Sequence, residues 1–116
     1  MKLKLIIALV GDDRTDTVIE AARQAGATGA TTITSVRGEG LKPHKTFLGL
    51  ELSSQRDVVL FMVVAEKSRH ILETISAAGE FDNQPGSGVA LEISIDDAVG
   101  LKTQLPTLLE EVEEEL

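Results

Sequence analysis

Two glycine patterns carry most of the chemistry that this chain can offer. Arg37-Gly38-Glu39-Gly40 and Gly86-Ser87-Gly88 each set two glycines one residue apart, beside a guanidinium or a hydroxyl. Glycines at strand ends let successive backbone N–H groups converge on one anion. Arg37, Lys42, Lys45 and Lys102 could balance the charge of a phosphate there. Gly-Ser-Gly is also a common hairpin turn, so each pattern alone is compatible with a purely structural role. The other candidates are thinner. His44 falls in a polar stretch, and His70 on an expected helix reads as surface. Asp96-Asp97 could hold a cation but reads better as a turn or helix cap. Arg56-Asp57 reads as a local ion pair. No phosphate-binding P-loop, metalloprotease helix or spaced nucleophile and base is present, so neither an enzyme nor a metal site is expected.

The elements that must position these residues repeat. Residues 3–38 read strand, helix, glycine, strand, and residues 57–95 read the same again. Two βαβ units in a chain this short predict a four-stranded sheet with both helices on one face. The expected strands are Lys2 to Val10, Ala30 to Val36, Asp57 to Val64 and Val89 to Ile95. The first helix follows Gly11-Asp12-Asp13, whose carboxylates suit a helix start, and presents Val18, Ala21, Ala22 and Ala25 as a narrow stripe until Gly26 stops it. The second, near Lys67 to Ala78, turns Ile71, Leu72 and Ile75 inward, and Gly79 is expected to close it. Between the halves lies a polar excursion of about residues 38–56 that the fold does not need, and such insertions commonly carry function.

Composition narrows the classes. The 116 residues suit one domain with an aliphatic core, because 42% are hydrophobic but only three are Phe and none is Trp or Tyr. There is no Cys, which removes disulfides and thiolate-bound zinc. The longest apolar run, Leu5 to Val10, is too short to span a bilayer, and no secretory pattern opens the chain, so a cytoplasmic protein without membrane insertion is expected. The net charge of −8 argues against nucleic acid as a partner. Five Glu crowd Leu105 to Leu116, where Leu105, Leu108, Leu109, Val112 and Leu116 fall at helical spacing, predicting an acidic amphipathic helix over about 104–116.

Taken together, four blocks resemble the PII nitrogen-regulatory signalling proteins, in particular their divergent PII-like branch. These are Ala25-Gly-Ala-Thr-Gly-Ala-Thr-Thr-Ile-Thr-Ser-Val-Arg-Gly-Glu-Gly40, Val63-Val64, Gly86-Ser-Gly88 and Ile95-Asp-Asp-Ala-Val-Gly-Leu-Lys-Thr103. Their order and spacing carry the resemblance, which covers about residues 3–103. It implies a ferredoxin-like βαββαβ sandwich, a homotrimer and adenine-nucleotide sites in the clefts between subunits. It also implies a long T-loop that answers to the ligand and engages a target such as a transporter or a metabolic enzyme.

The resemblance assigns Gly29, Thr32 and the backbone near Val63 to the adenine pocket. It assigns Gly38 and Gly40 to the T-loop base, Gly86 and Gly88 to the phosphate-holding B-loop, and Lys102 to a phosphate-binding arginine's place. Together with Arg37, Lys42 and Ser87, these are the expected site residues. Three basic positions of the family are missing, being Leu41, Val89 and Gly100 here. Each charged contact with phosphate contributes about 1.5–3 kcal/mol, so AMP or ADP is expected in preference to ATP. With no Tyr in the chain, uridylylation of a loop tyrosine is excluded. Phe47, Leu48, Leu50 and Leu52 read better as extending the third strand or packing between subunits than as a partner-binding tip. Three other readings stay open: a metal-responsive trimer of the copper-tolerance type, an amino-acid-binding regulatory domain, and a ligand-free structural or interaction module, which the missing basic residues support.

Overall fold

The computed structural model describes residues 2–37 and 55–101. The elements run β1 (Leu3–Gly11), α1 (Thr15–Gln24), β2 (Thr31–Val36), β3 (Arg56–Val64), α2 (Ala65–Gly79) and β4 (Gly88–Ile95). The strands form one antiparallel sheet in the order β2-β3-β1-β4, the ferredoxin-like βαββαβ arrangement. The T-loop-like segment with Gly38, Gly40, Leu41, Lys42, His44 and the apolar run from Phe47 lies outside the described residues. So do Lys102 and the acidic tail.

The near-continuous apolar strands LKLIIALV and VVLFMVV place hydrophobic side chains on both faces of the sheet. One face carries Ile6, Ala8, Val10, Val59, Phe61 and Val63, which are buried beneath Val18 and Ala22 of α1 and Ile71 and Ile75 of α2. The opposite face carries Leu5, Ile7, Leu60, Met62, Leu91 and Ile93, brought side by side by the register Leu5↔Met62, Ile7↔Leu60, Leu5↔Ile93 and Ile7↔Leu91. Among the described residues, neither helix covers this second face. Met62, Leu91 and Ile93 are 38%, 44% and 47% exposed.

The helix ends differ in part from the sequence expectation. Gly26, at φ +115, follows the last turn of α1 and closes it, with the amides of Gly26 and Ala27 donating to the carbonyls of Arg23 and Ala22. Asp12 and Asp13 do not cap α1. Its N-cap is Arg14, with no side-chain cap bond. Gly79 does not supply the left-handed residue after α2 either, since Glu80 takes that conformation at φ 56. Gly79 instead leaves room for the Phe81 ring, since a Cβ there would lie 2.3 Å from Phe81 Cε1 and the ring would have to move.

Side-chain bonds tie the layers together. Arg14 Nη1 donates to the Gly79 carbonyl at 2.9 Å and to Glu80 Oε2 at 3.0 Å, joining the start of α1 to the end of α2. Lys4 Nζ meets Glu92 Oε1 at 3.0 Å, and the Ser68 hydroxyl donates to the other carboxylate oxygen. The bonds from Ser68 and then Lys4 hold the Glu92 carboxyl below its ordinary value of 4.5, outweighing the upward push of burial.

Candidate functional site

The sheet order decides which expected site residues can meet. Val36 pairs with Arg56, Arg56 with Gly11, and Val10 with Gly88, so the end of β2 and the start of β4 share one end of the sheet. They occupy its two opposite edges, with β3 and β1 between them. Three strand spacings separate them by roughly 14 Å. Thr32 on one edge and Gly86-Ser87-Gly88 beside the other therefore cannot close on one small ligand within a single chain.

At the β2 edge, Gly29 and Thr32 line a recess of about 280 Å³ with Thr28, Ala27, Arg23 and Phe61. A Cβ on Gly29 would touch nothing within 4 Å, and its φ is not left-handed, so the fold itself does not require glycine there. Val63 is 3% exposed and part of the core, which leaves only its backbone to face a ligand. It lies beyond the Thr31–Leu60 pair where the β2 ladder begins. Phe61, which also lines the recess, is not distinguishable by sequence from the other apolar residues of its strand.

At the other edge, the three residues of the Gly-Ser-Gly run behave differently. Gly86 is left-handed at φ 79. Ser87 is buried. Its hydroxyl donates to the Glu80 carbonyl at 2.9 Å and its amide to the Gln84 carbonyl at 3.1 Å, so both its protons serve the turn. Gly88 is the first residue of β4. A Cβ on it would lie 2.6 Å from Phe81 Cε1 and 2.9 Å from the Leu9 carbonyl oxygen. Phe81 therefore packs against both Gly79 and Gly88, a contact that no local pattern in the sequence marks. Val89 is half-buried and Gly100 is exposed at φ 87.

The residues beside this loop form a polar cavity of about 330 Å³ between the Asp12–Arg14 turn and residues 84–87. Arg56 lines it and is 7% exposed, and its Nε is buried without a hydrogen-bond partner among the described residues. The expected Arg56–Asp57 ion pair does not form. Adjacent strand residues point to opposite faces, and Asp57 instead accepts the Thr15 hydroxyl at 2.6 Å. Arg37, at the far edge, is exposed. A broader groove of about 620 Å³ runs between α2 and the start of β4, with Arg69, Glu73 and Phe81 in its walls. Among the described residues, Gly88 is the one expected site residue in its lining.

His70 and the Asp96-Asp97 pair are exposed. Among the described residues no group of three or more His, Asp or Glu side chains is placed to hold a metal ion. No helix among the described residues is long and apolar enough to cross a membrane.

Comparison with known proteins places the chain beside one family. The model of the family described as nitrogen regulatory protein P-II matches residues 3–104. No curated protein sequence matches. Among solved structures, a protein described as PII-like signalling, from Thermus thermophilus, superposes with TM-score 0.60 at 20% identity, over 82% of this chain and 88% of that one. CPII from Thiomonas intermedia, described as a nitrogen regulatory PII-like protein, superposes in its apo form with TM-score 0.61 at 18% identity, over 82% and 92%. The same protein bound to ADP, AMP and acetate gives TM-score 0.60 at 17% identity, over 83% and 90%.

Proposed function

The chain belongs to the nitrogen regulatory protein P-II family, and from that premise we propose that it is a cytoplasmic homotrimer that binds AMP or ADP between subunits and regulates another protein. Members of this family are non-catalytic regulators. The observation that carries the reading is an apolar sheet face that no described residue covers, with a half-site at each of its two edges. Burying Leu5, Leu60, Met62, Leu91 and Ile93 against other copies of the chain would remove a large apolar patch from water. The same association is what could bring the Gly29–Thr32 edge of one copy to the Gly86 loop of another, which a single chain cannot do.

The ligand preference follows from the charges. Gly29 and Thr32, with the backbone at Val63, suit a purine base at an apolar recess. Gly38, Gly40, Gly86 and Gly88 suit phosphates, with Arg37, Lys42 and Lys102 as the cations. Leu41, Val89 and Gly100 remove three cationic positions, which favours one or two phosphates over three. CPII, a relative by fold, was solved with ADP and AMP. Residues 38–56 would adopt different arrangements with and without ligand and so switch contact with a transporter or metabolic enzyme. The only energetic requirement is that the ligand bind one arrangement more tightly.

Mass measurement by light scattering, run beside calorimetric titration with AMP, ADP and ATP at matched magnesium, tests this. The expected result is three times the 12.4 kDa chain mass and saturable binding of about one nucleotide per chain. A monomer that binds no nucleotide at about 1 mM, the weak end of useful affinity, would overturn it.

A further inference from the structure

A buried guanidinium with an unused donor requires an explanation, because an unpaired polar atom out of water costs free energy that folding must offset. Arg56 is such a group: it is 7% exposed, and its Nε has no partner among the described residues. It lines the 330 Å³ cavity that also borders Gly86 and Ser87. Its guanidinium leans over the glycine of its register partner. A Cβ on Gly11 would lie 3.0 Å from Arg56 Nη1 and 2.8 Å from Asp13 Oδ1. Gly11 therefore lets a guanidinium and a carboxylate stand close together at one point of the cavity wall. The other arginine of the cavity, Arg14, is already engaged with Gly79 and Glu80. Asp12 also borders the cavity, so it is not uniformly cationic.

We propose that Arg56 is the anion-holding side chain beside the 84–87 loop, and that its cavity takes one protonated phosphate group, free or as the terminal group of a nucleoside mono- or diphosphate. A planar guanidinium offers parallel donors to two oxygens of such a group. The neighbouring Asp13 carboxylate accepts the phosphate O–H, a bond that a fully ionised oxyanion cannot supply. This pairing of donor and acceptor admits a protonated phosphate group and disfavours a fully ionised anion such as sulfate. Arg56 opens β3 where the chain rejoins the sheet after the excursion, and the Asp12 amide donates to the Gln55 carbonyl at 3.2 Å. Occupancy would thus act on the strand that carries the end of that segment. The assignment rests on the nucleotide reading only where the phosphate belongs to a nucleotide.

The test titrates the full chain with inorganic phosphate, sulfate, adenosine and ADP, for the natural protein and for Arg56→Met and Arg56→Lys. The expected result is binding of phosphate over sulfate. Arg56→Met should weaken phosphate and ADP by about 10- to 100-fold while leaving adenosine unchanged, and Arg56→Lys should fall between. The melting temperature and mass of the free Arg56→Met protein should not drop, because the variant removes an unpaired buried donor. Unchanged phosphate affinity in Arg56→Met, or equal binding of sulfate, would overturn the proposal. So would a lower melting temperature or a smaller assembly without ligand, since those mark a purely structural arginine. Phosphate binding with no adenosine or ADP binding would uphold Arg56 and sink the nucleotide reading. Adenosine and ADP binding alike, with no phosphate binding, would do the reverse.

Discussion

Gly88→Ala separates two reasons for the same glycine. If Gly88 is present to offer its amide to a phosphate, an added methyl group should weaken ligand binding and leave the free protein's stability alone. The packing points the other way. The new Cβ would lie 2.9 Å from the Leu9 carbonyl oxygen and 2.6 and 3.0 Å from two atoms of the Phe81 ring. The ring can swing away, but the carbonyl belongs to a strand paired on both sides and cannot. Overpacking of this kind costs about 1–3 kcal/mol. For a domain of this size that is a fall in melting temperature of about 4–12 °C. Calorimetry of the ligand-free protein measures it. Combining Gly88→Ala with Phe81→Ala should cost less than the two changes added separately, because the ring contact is then gone from both sides of the sum. The share that remains is the carbonyl contact. An unchanged melting temperature in Gly88→Ala, together with lost ligand binding, would refute the packing argument.

Three further outcomes are expected. Ile93→Glu, at a position 47% exposed in the single chain, should leave the circular dichroism of the fold intact and convert the assembly to monomer by light scattering; an unchanged mass would place the interface elsewhere. The lowered Glu92 carboxyl contributes stability that is fully present above its ordinary value of 4.5 and drains away as pH falls toward its lower native value. Glu92→Gln should therefore flatten the acid limb of a urea-midpoint against pH curve and cost about 1 kcal/mol at neutral pH; an unaltered acid limb would count against the Ser68–Glu92–Lys4 cluster. Glu80 holds a left-handed backbone at φ 56 that glycine adopts freely. Glu80→Gly should raise stability by about 0.5–1 kcal/mol despite losing the half-exposed pair with Arg14, and a lower melting temperature would show that the pair dominates.

The element order, the four strands and the buried stripes of both helices were legible in the sequence because they depend on local periodicity. Val18 and Ala22, like Ile71 and Ile75, recur at helical spacing, and that spacing alone assigns them to one face. Gly26 was legible as a helix stop for the same reason, since the left-handed residue follows the last turn directly. What the sequence could not show was which residues meet across the sheet. Gly29, Thr32, Gly86 and Gly88 were expected in clefts between subunits, and the order β2-β3-β1-β4 shows why a single chain holds them at opposite edges. The packing of Phe81 against Gly79 and Gly88 depends on a contact between a helix end and a strand start. The orphaned Nε of Arg56 depends on β3 lying beside β1, which sets its guanidinium over Gly11 rather than against Asp57. Strand pairing and side-chain burial are relations between distant residues, and only the folded chain fixes the distances on which a hydrogen bond or a clash depends.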